Sequence, residues 1–500
     1  MNPRVKSLSE ILASAERGGL HRSLGAWQLT LLGIGSIIGT GIFVLTAEAA
    51  QKAGPAMLVS FVLAAVVCAL CALCYAELGG MVPASGSAYT YCYAVVGELG
   101  AWLVGWALIL EYAVSASAVA VGWSSYLVGL LERSTHLHFP VQLAKGYFAG
   151  GLVDLPAALI GLMVTVLLYI GTRETARINA VLVAVKLIAL IIFCVLTIPV
   201  LRMDHFVPFA PVGVMGIGGA AASIFFAYVG FDAVSTAAEE TRNPQRNVPI
   251  AVIGSLVICT ALYLLVAAGA VGMAGGQPVM AGSHWVAPGS AEWLAACQQP
   301  GNVDALACSD DPLAHVLTRQ GWTGMGNLMA LAAFVALPSV ILTMMFGQTR
   351  IFFVMARDGL LPRVLSRVHT RFRTPHVVTI VTGCFVTILD AVFPVGRLAD
   401  VSNAGTLFAF AAVAIAVMRL RVSNPEHPRS FRAPAVWLMG PLAVLGCILL
   451  LVMLPGETKL MFLVWSVTGL VVYFLYGYRH SRMCPQRTGE PQRLSSESSS

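Results

Sequence analysis

The sequence predicts an all-α polytopic membrane protein, and three observations carry that prediction. Of its 500 residues, 58% are hydrophobic and only 11% charged, against roughly 25% charged in an ordinary soluble chain. Apolar runs long enough to cross a bilayer as helices, about 20 residues each, recur twelve times. The Lys and Arg residues gather in the short polar segments between those runs. The formal net charge of +6 therefore reflects loops beside a membrane and does not imply a nucleic-acid surface.

Taken in order, the chain opens with a polar segment, 1–25, that carries no separate cleavable signal. Within it, residues 7–18 could form an amphipathic surface helix or a solvated tail. Twelve spans are expected near 26–48, 55–81, 98–131, 153–171, 178–200, 212–238, 248–275, 324–355, 376–394, 399–419, 435–455 and 458–478. They group as 26–200, then 212–419 with a long polar loop at about 276–323, then 435–478. Residues 479–500, ending in RLSSESSS, read as a disordered tail.

Orientation follows from basic residues. With the amino terminus inside, about 21 of the 30 Lys and Arg fall on the cytoplasmic side and about 7 outside, with Lys186 and Arg350 within spans. Arg357, Arg363, Arg367, Arg371 and Arg373 form one cytoplasmic cluster; Arg419, Arg421, Arg429 and Arg432 form another. Both termini are then cytoplasmic and the 276–323 loop is external. Cys297 and Cys308 sit in that loop, where they could close a disulfide.

Two spans are interrupted. The first contains LLGIGSIIGTGIF, with Gly33, Gly35, Gly39 and Gly41, and the sixth contains SIFFAYVGFD, from Ser223 to Asp232. Glycine costs about 1 kcal/mol against alanine inside a helix, so four within nine positions imply close packing or a helix that stops and restarts. Gly35 and Gly39 also form GxxxG, which alone is a common packing motif. No strand precedes these glycines, which excludes a dinucleotide fingerprint. Lying five spans apart, the two broken spans begin on opposite sides of the membrane, the logic of an inverted repeat with a binding site at mid-membrane. An unwound turn offers N–H groups to an anion, and freed carbonyls attract an ammonium. An α-amino acid carries both groups at fixed separation.

Ionisable residues inside spans are functional candidates. Lys186 lies about 14 Å along the fifth span, too deep to reach water easily. Burial disfavours its charge, which makes it a candidate for proton exchange; it could instead pair with a carboxylate or cap backbone carbonyls. Glu111, in the third span, and Asp232, at the end of the YVGFD run, could meet a substrate cation or hold a structural network, and Asp232 could cap the second half of its broken helix. Glu239, Glu240, Arg242 and Arg246 could form a cytoplasmic gate or a solvated loop. Cys68, Cys71 and Cys74 repeat every three residues, but no His or carboxylate joins them at metal-ligand spacing; they read as small packing residues, and no metal is expected.

GIGSIIGTGIFV (33–44), the 225–249 segment, Lys186 and GQTRIFFVMARDGLLP (347–362) together resemble the cationic amino acid transporter family of the amino acid–polyamine–organocation superfamily, and its bacterial proton-coupled members most closely. The resemblance covers the first ten spans. It implies a LeuT-like fold with two inverted five-helix repeats, broken helices 1 and 6, and two extra C-terminal helices. It implies a substrate carboxylate on Gly39, Thr40 and Gly41, and an amino group near Phe226, Ala227 and Val229, with Phe226 closing over the substrate as a gate. Lys186 matches the lysine that replaces a sodium ion in proton-coupled relatives, and Glu111 and Asp232 match acidic positions. Leu337, Pro338, Val340 and Thr343 lie where the side chain should point. The eighth span offers no carboxylate for a cationic side chain, so small neutral amino acids stand beside arginine and lysine as substrates.

The expectation is a secondary active amino acid transporter of the plasma membrane (the inner membrane in a bacterium), working by alternating access as a symporter with protons as coupling ion and no other cofactor. Its partners are an L-amino acid and the lipid bilayer, with a small accessory membrane subunit left open. An exchanger or a non-transporting amino acid sensor of the same fold is the alternative. A membrane enzyme would need a catalytic set near an interface, and of the ten histidines only His376 borders a span, without a carboxylate at useful spacing.

Overall fold

In a membrane every backbone group must be satisfied internally, which leaves helices as the economical solution for apolar runs of this length. A computed structural model describes residues 24–82, 86–135, 138–171, 176–237, 241–282, 284–372, 374–429 and 431–483. The expected surface helix at 7–18, Glu239, Glu240, Arg373 and the terminal tail lie outside the described residues. Among the described residues, nine helical segments are long and apolar enough to cross a membrane, and three more apolar helices run 12, 16 and 17 residues.

The helices that position the site are α1 (Ala26–Ile37), α2 (Leu45–Ala53), α3 (Met57–Met81), α4 (Ser87–Val95), α5 (Glu98–Thr135), α6 (Leu155–Ile170), α7 (Ala176–Thr197), α8 (Gly213–Ile224), α9 (Pro244–Ala274), α10 (Pro312–Arg319), α11 (Thr323–Arg357), α12 (His376–Val392), α13 (Val395–Ser423), α14 (Val436–Met453) and α15 (Gly456–Val472). The nine-residue α4 was not expected from the sequence. SAYTYCYAV is too short to read as a span, and its tyrosines are placed by one distant and one nearby partner: Tyr89 Oη donates to Asp358 at 2.9 Å and Tyr93 Oη to Glu98 at 3.3 Å.

The centre of the bundle is α5. Its Ala, Ser and Gly residues let α11, α12 and α13 approach, and it is buried along nearly all of its apolar length, whereas α14 and α15 leave most of theirs exposed. Many Ser and Thr side chains inside helices bond back to i−4 carbonyls, as Thr165 does to Gly161 and Thr197 to Phe193, which satisfies their polarity locally. Val59, Val62, Val66, Leu159, Leu162 and Val166 lie exposed on α3 and α6. That pattern fits surfaces that face lipid chains.

Both interrupted spans are broken. After α1 the chain turns extended at Ile38 and Gly39, makes the single turn Thr40–Phe43, and resumes as α2. After α8 it tightens into the 3-10 turn Phe225–Tyr228, runs non-helical through Gly230 (φ +123°), and makes the turn Ala233–Thr236. The two breaks touch through their main chains. A Cβ on Gly41 would lie 2.3 Å from Ala227 Cα, and one on Gly230 would lie 2.7 Å from Ser36 O. Neither neighbour is a flexible side-chain end, so only glycine fits either position.

The polar loop between α9 and α11 is folded. It holds a two-residue hairpin (Met280–Ala281 against His284–Trp285), the short helix Ala291–Cys297 and α10, and a disulfide joins Cys297 to Cys308. The buried Gln51 of α2 fastens the loop: its side chain donates to Val279 O and Val286 O and accepts from Val279 N, while its own carbonyl accepts from Trp285 Nε1.

Gly230→Ala combines a disallowed φ with a backbone clash and should cost about 1–3 kcal/mol. A clear fall in the thermal melting midpoint of the purified protein is expected. An unchanged midpoint would mean that the two breaks can separate freely.

Candidate functional site

The chemistry of the site starts from the groups that a broken helix frees. The last carbonyls of α1 have no intrahelical donor. Lys186 Nζ, on α7, donates to Gly35 O at 3.0 Å and lies 3.3 Å from Ser339 Oγ of α11. Tyr263 Oη, on α9, donates to Ile37 O at 2.9 Å. An ammonium at a helix C-terminus also meets the negative end of the helix dipole. Lys186 is fully buried, and its bond to a backbone carbonyl realises one of the alternatives expected for it.

A narrow cleft opens beside the first break, lined by Ser36, Ile37, Gly39, Thr40, Gly41, Ser115, Val119, Phe226, Val229, Val340 and Met344. Five of the six residues expected to meet substrate line it: Gly39, Thr40, Gly41, Phe226 and Val229. Ala227 does not; it packs against Gly41 instead. Thr40 Oγ1 is buried and has no hydrogen-bond partner among the described residues. The Thr40–Phe43 turn starts at Gly39, so its first N–H groups have no i−4 carbonyl. Among the described residues no charged side chain lines the cleft, and Val119, Val340 and Met344 supply an apolar wall from α5 and α11. Of the α11 residues expected near the substrate side chain, Val340 lines the cleft and Leu337, Pro338 and Thr343 do not. Ser115, Val119 and Met344 were not anticipated, because one sequence does not say which face of a long helix turns inward.

Glu111 and Asp232 lie beside the cleft and not in its lining. Glu111 is one helical turn from Ser115, buried, with both oxygens unpartnered among the described residues. Asp232 accepts from Tyr112 Oη at 2.8 Å. It occupies the N-cap position of the Ala233–Thr236 turn without capping it through its side chain, which corrects that expectation. The two carboxylates are within electrostatic reach of each other and of Tyr75 and Tyr112.

Two ion-pair clusters flank the cleft along the bundle, and the sequence pointed to neither. On one side Lys52 of α2 meets Glu48 at 2.6 Å, Asp400 of α13 at 3.4 Å and Ser223 Oγ of α8 at 2.5 Å. Ser223 Oγ in turn donates to Asp400 at 2.5 Å, and Asn403 Nδ2 donates to Ala222 O and Ser223 O. On the other side Arg421 grips Glu77 of α3 with two bonds of 2.7 and 2.6 Å, and Arg429 Nε stands 3.3 Å from the same carboxylate. Arg421 and Arg429, expected as part of a loop cluster, are thus held by one buried acid. Of the expected Glu239–Arg246 gate, the described part shows Arg242 N donating to Leu24 O at 2.8 Å, a main-chain link.

Among the described residues no group of three or more His, Cys, Asp or Glu is arranged to hold a metal. Cys71 instead packs its sulfur 3.6 Å from that of Cys447 on α14.

The family model described as amino acid permease matches residues 24–476. The chain is similar to the branched-chain amino acid permease BcaP of Bacillus subtilis (41% identical, over 96% of this chain and 98% of that protein). It is similar to the methylthioribose transporter of the same organism (40%, over 96% and 98%). It is also similar to cationic amino acid transporter 4 of Mus musculus (34%, over 88% and 65%).

Lys52→Met would leave the buried Asp400 and the partly buried Glu48 without a cation, and breaking such a pair from one side costs about 3–5 kcal/mol. The single variant should melt well below the wild type, and adding Asp400→Asn should restore part of the loss. Equal melting of all three would mean that the cluster is solvated.

Proposed function

The chain belongs to the amino acid permease family, and from that membership we propose that it is a secondary active transporter importing neutral L-amino acids with apolar side chains, in symport with protons, across the plasma membrane. In this reading the helices form twelve spans in the LeuT-like arrangement: two inverted five-helix repeats broken at the first and sixth spans, then α14 and α15, with both termini cytoplasmic. The basic residues of the loops support that orientation.

One observation carries the substrate class. The cleft lies between two helix breaks, with main-chain donors on the first, and its side-chain wall is Val119, Val340 and Met344 without an acid. The carboxylate is held by the N–H groups of the Thr40 turn and the Thr40 hydroxyl, and the ammonium by carbonyls freed near Phe226 and Val229. An aliphatic side chain then gains hydrophobic burial of about 25 cal/mol per Å². A guanidinium or ammonium there would be desolvated without an acid in the lining to pair with, at a cost of several kcal/mol. Phe226 covers the bound molecule.

Lys186 is the coupling residue in this proposal. Charged, it holds Gly35 O at the end of α1; neutral, it lets that end move, so proton transfer and helix movement are linked. The Lys52–Asp400 and Glu77–Arg421 clusters serve as closures on the outer and inner sides of the cleft.

The test is uptake into liposomes holding the pure protein, in sodium-free buffer with an acidic exterior, using labelled leucine, arginine and methylthioribose. Concentrative leucine uptake abolished by a protonophore supports the proposal. Preference for arginine or methylthioribose would overturn the substrate class, and leucine counterflow insensitive to the pH gradient would favour an exchanger.

Lys186→Ala should retain leucine binding and lose pH-driven accumulation; wild-type accumulation would remove Lys186 from coupling. Gly41→Val should abolish leucine binding, measured by ligand-induced thermal stabilisation, since its side chain would occupy the space of Ala227. Wild-type affinity would put the carboxylate elsewhere.

A further inference from the structure

Where α5, α6 and α12 meet, a second polar cluster lies apart from the cleft. Asp154 is buried and caps α6, its Oδ1 accepting from Ala157 N at 3.0 Å and from Ser124 Oγ of α5 at 2.5 Å. Its own N–H donates to Ala391 O at 3.0 Å, which brings the neighbouring Asp390 alongside. Asp390 is 0% exposed, and neither of its carboxylate oxygens has a hydrogen-bond partner among the described residues. Thr387 Oγ1, one turn earlier on α12, is likewise buried and unpartnered there. Both atoms face Gly161 of α6: a Cβ at that position would lie 2.5 Å from Asp390 Oδ2 and 3.3 Å from Thr387 Oγ1.

This arrangement is deficient in positive charge. Asp390 stands at the C-terminal end of α12, the negative end of its helix dipole, and interacts electrostatically with Asp154. Lys145 in the α5–α6 loop interacts electrostatically with Asp154, but its ammonium is held at 2.7 Å by Asp310, with Glu132 adding further negative charge. Buried carboxylates persist when they are paired or when they bind a cation.

We propose that Asp154, Asp390 and Thr387 hold one small hard cation, at a site separate from the substrate cleft and from Lys186. An all-oxygen set of carboxylates and a hydroxyl suits a proton or a light alkali ion and not a soft transition metal. A bound cation joins the ends of α6 and α12 beside α5, which fixes the helix carrying Ser115 and Val119 whatever the transported substrate is.

The experiment is thermal melting of the purified full-length protein. One series compares sodium or lithium chloride with choline chloride at equal ionic strength; a second runs from pH 8 to pH 5 in choline chloride. Wild type should gain about 2 °C or more in one of the two series, and Asp390→Asn should not. A gain with sodium or lithium identifies an alkali ion. A gain with acid alone identifies a proton. Asp311, whose burial pushes it up to about 6, and His315 titrate in both proteins and cancel in the comparison. Thr387→Val keeps both carboxylates, and Gly161→Ala fills the space between the donors; each should weaken the response severalfold if Asp390→Asn does not fold. Identical responses of wild type and every folded variant in both series would overturn the proposal.

Discussion

Carbonyl groups released by a helix break inside a membrane must find donors, because there is no water to supply them and each orphan costs several kcal/mol. The rest of this structure is arranged around that requirement. Gly35 O takes Lys186 from α7, Ile37 O takes Tyr263 from α9, and Phe43 O takes Tyr126 from α5 at 2.7 Å. At the end of α8, Asn403 of α13 serves Ala222 O and Ser223 O. Four separate helices are thereby fastened to the two breaks. Whatever moves a break moves its donors or exchanges them.

The contact between the breaks adds a second constraint. Gly41 lies on Ala227, and Gly230 lies on Ser36, so the two broken spans cannot shift independently at mid-height. Two polar ties run to α13, and the first of them joins the ends of both broken spans, while the second holds α3. Near the start of α13, Asp400 meets Lys52 at 3.4 Å in a cluster shared with Ser223; near its end, Arg421 grips Glu77 with two short bonds, and Ala433 N reaches the same carboxylate at 2.8 Å. A bidentate guanidinium pair is stronger and more directional than a single ammonium contact. The Glu77 contact is therefore the stronger of the two.

Much of this was legible in the sequence because the relevant signals are local. Apolar runs gave the helices within a few residues, and glycines inside two of them gave the breaks. A lysine deep in a span marked the α7 donor. The two ion-pair clusters were not legible. Lys52 reads as an ordinary loop charge and Asp400 as an interfacial one, and their partners are 348 positions apart; Glu77 and Arg421 are 344 apart. Asp390 sits near the end of a span, where an acid usually reaches water, and its burial depends on the packing of α6. The lining of α11 is hidden for another reason. A 35-residue helix with apolar residues on every side has no periodic signal to mark which of them, Val340 or Leu337, faces the cleft.

The same division bears on how this fold accommodates different substrates. In the proposed mode the charged ends of an amino acid meet main-chain groups at Gly39–Gly41 and near Phe226–Val229, whose geometry is dictated by the breaks and cannot vary without dismantling them. The proposed side-chain wall, Val119, Val340 and Met344, projects from unbroken stretches of α5 and α11 and contributes no backbone constraint to the breaks. Substitutions there change the size and polarity of one wall at the modest cost of repacking, while the carboxylate and ammonium sites stay in register. Relatives named for branched-chain and for cationic amino acids are what such a separation permits. A carboxylate introduced on that wall would be stable only with a cationic side chain beside it, so specificity for charge and stability of the empty cleft oppose each other. An apolar wall carries no such conflict, which is the physical reason to read this cleft as one for aliphatic side chains.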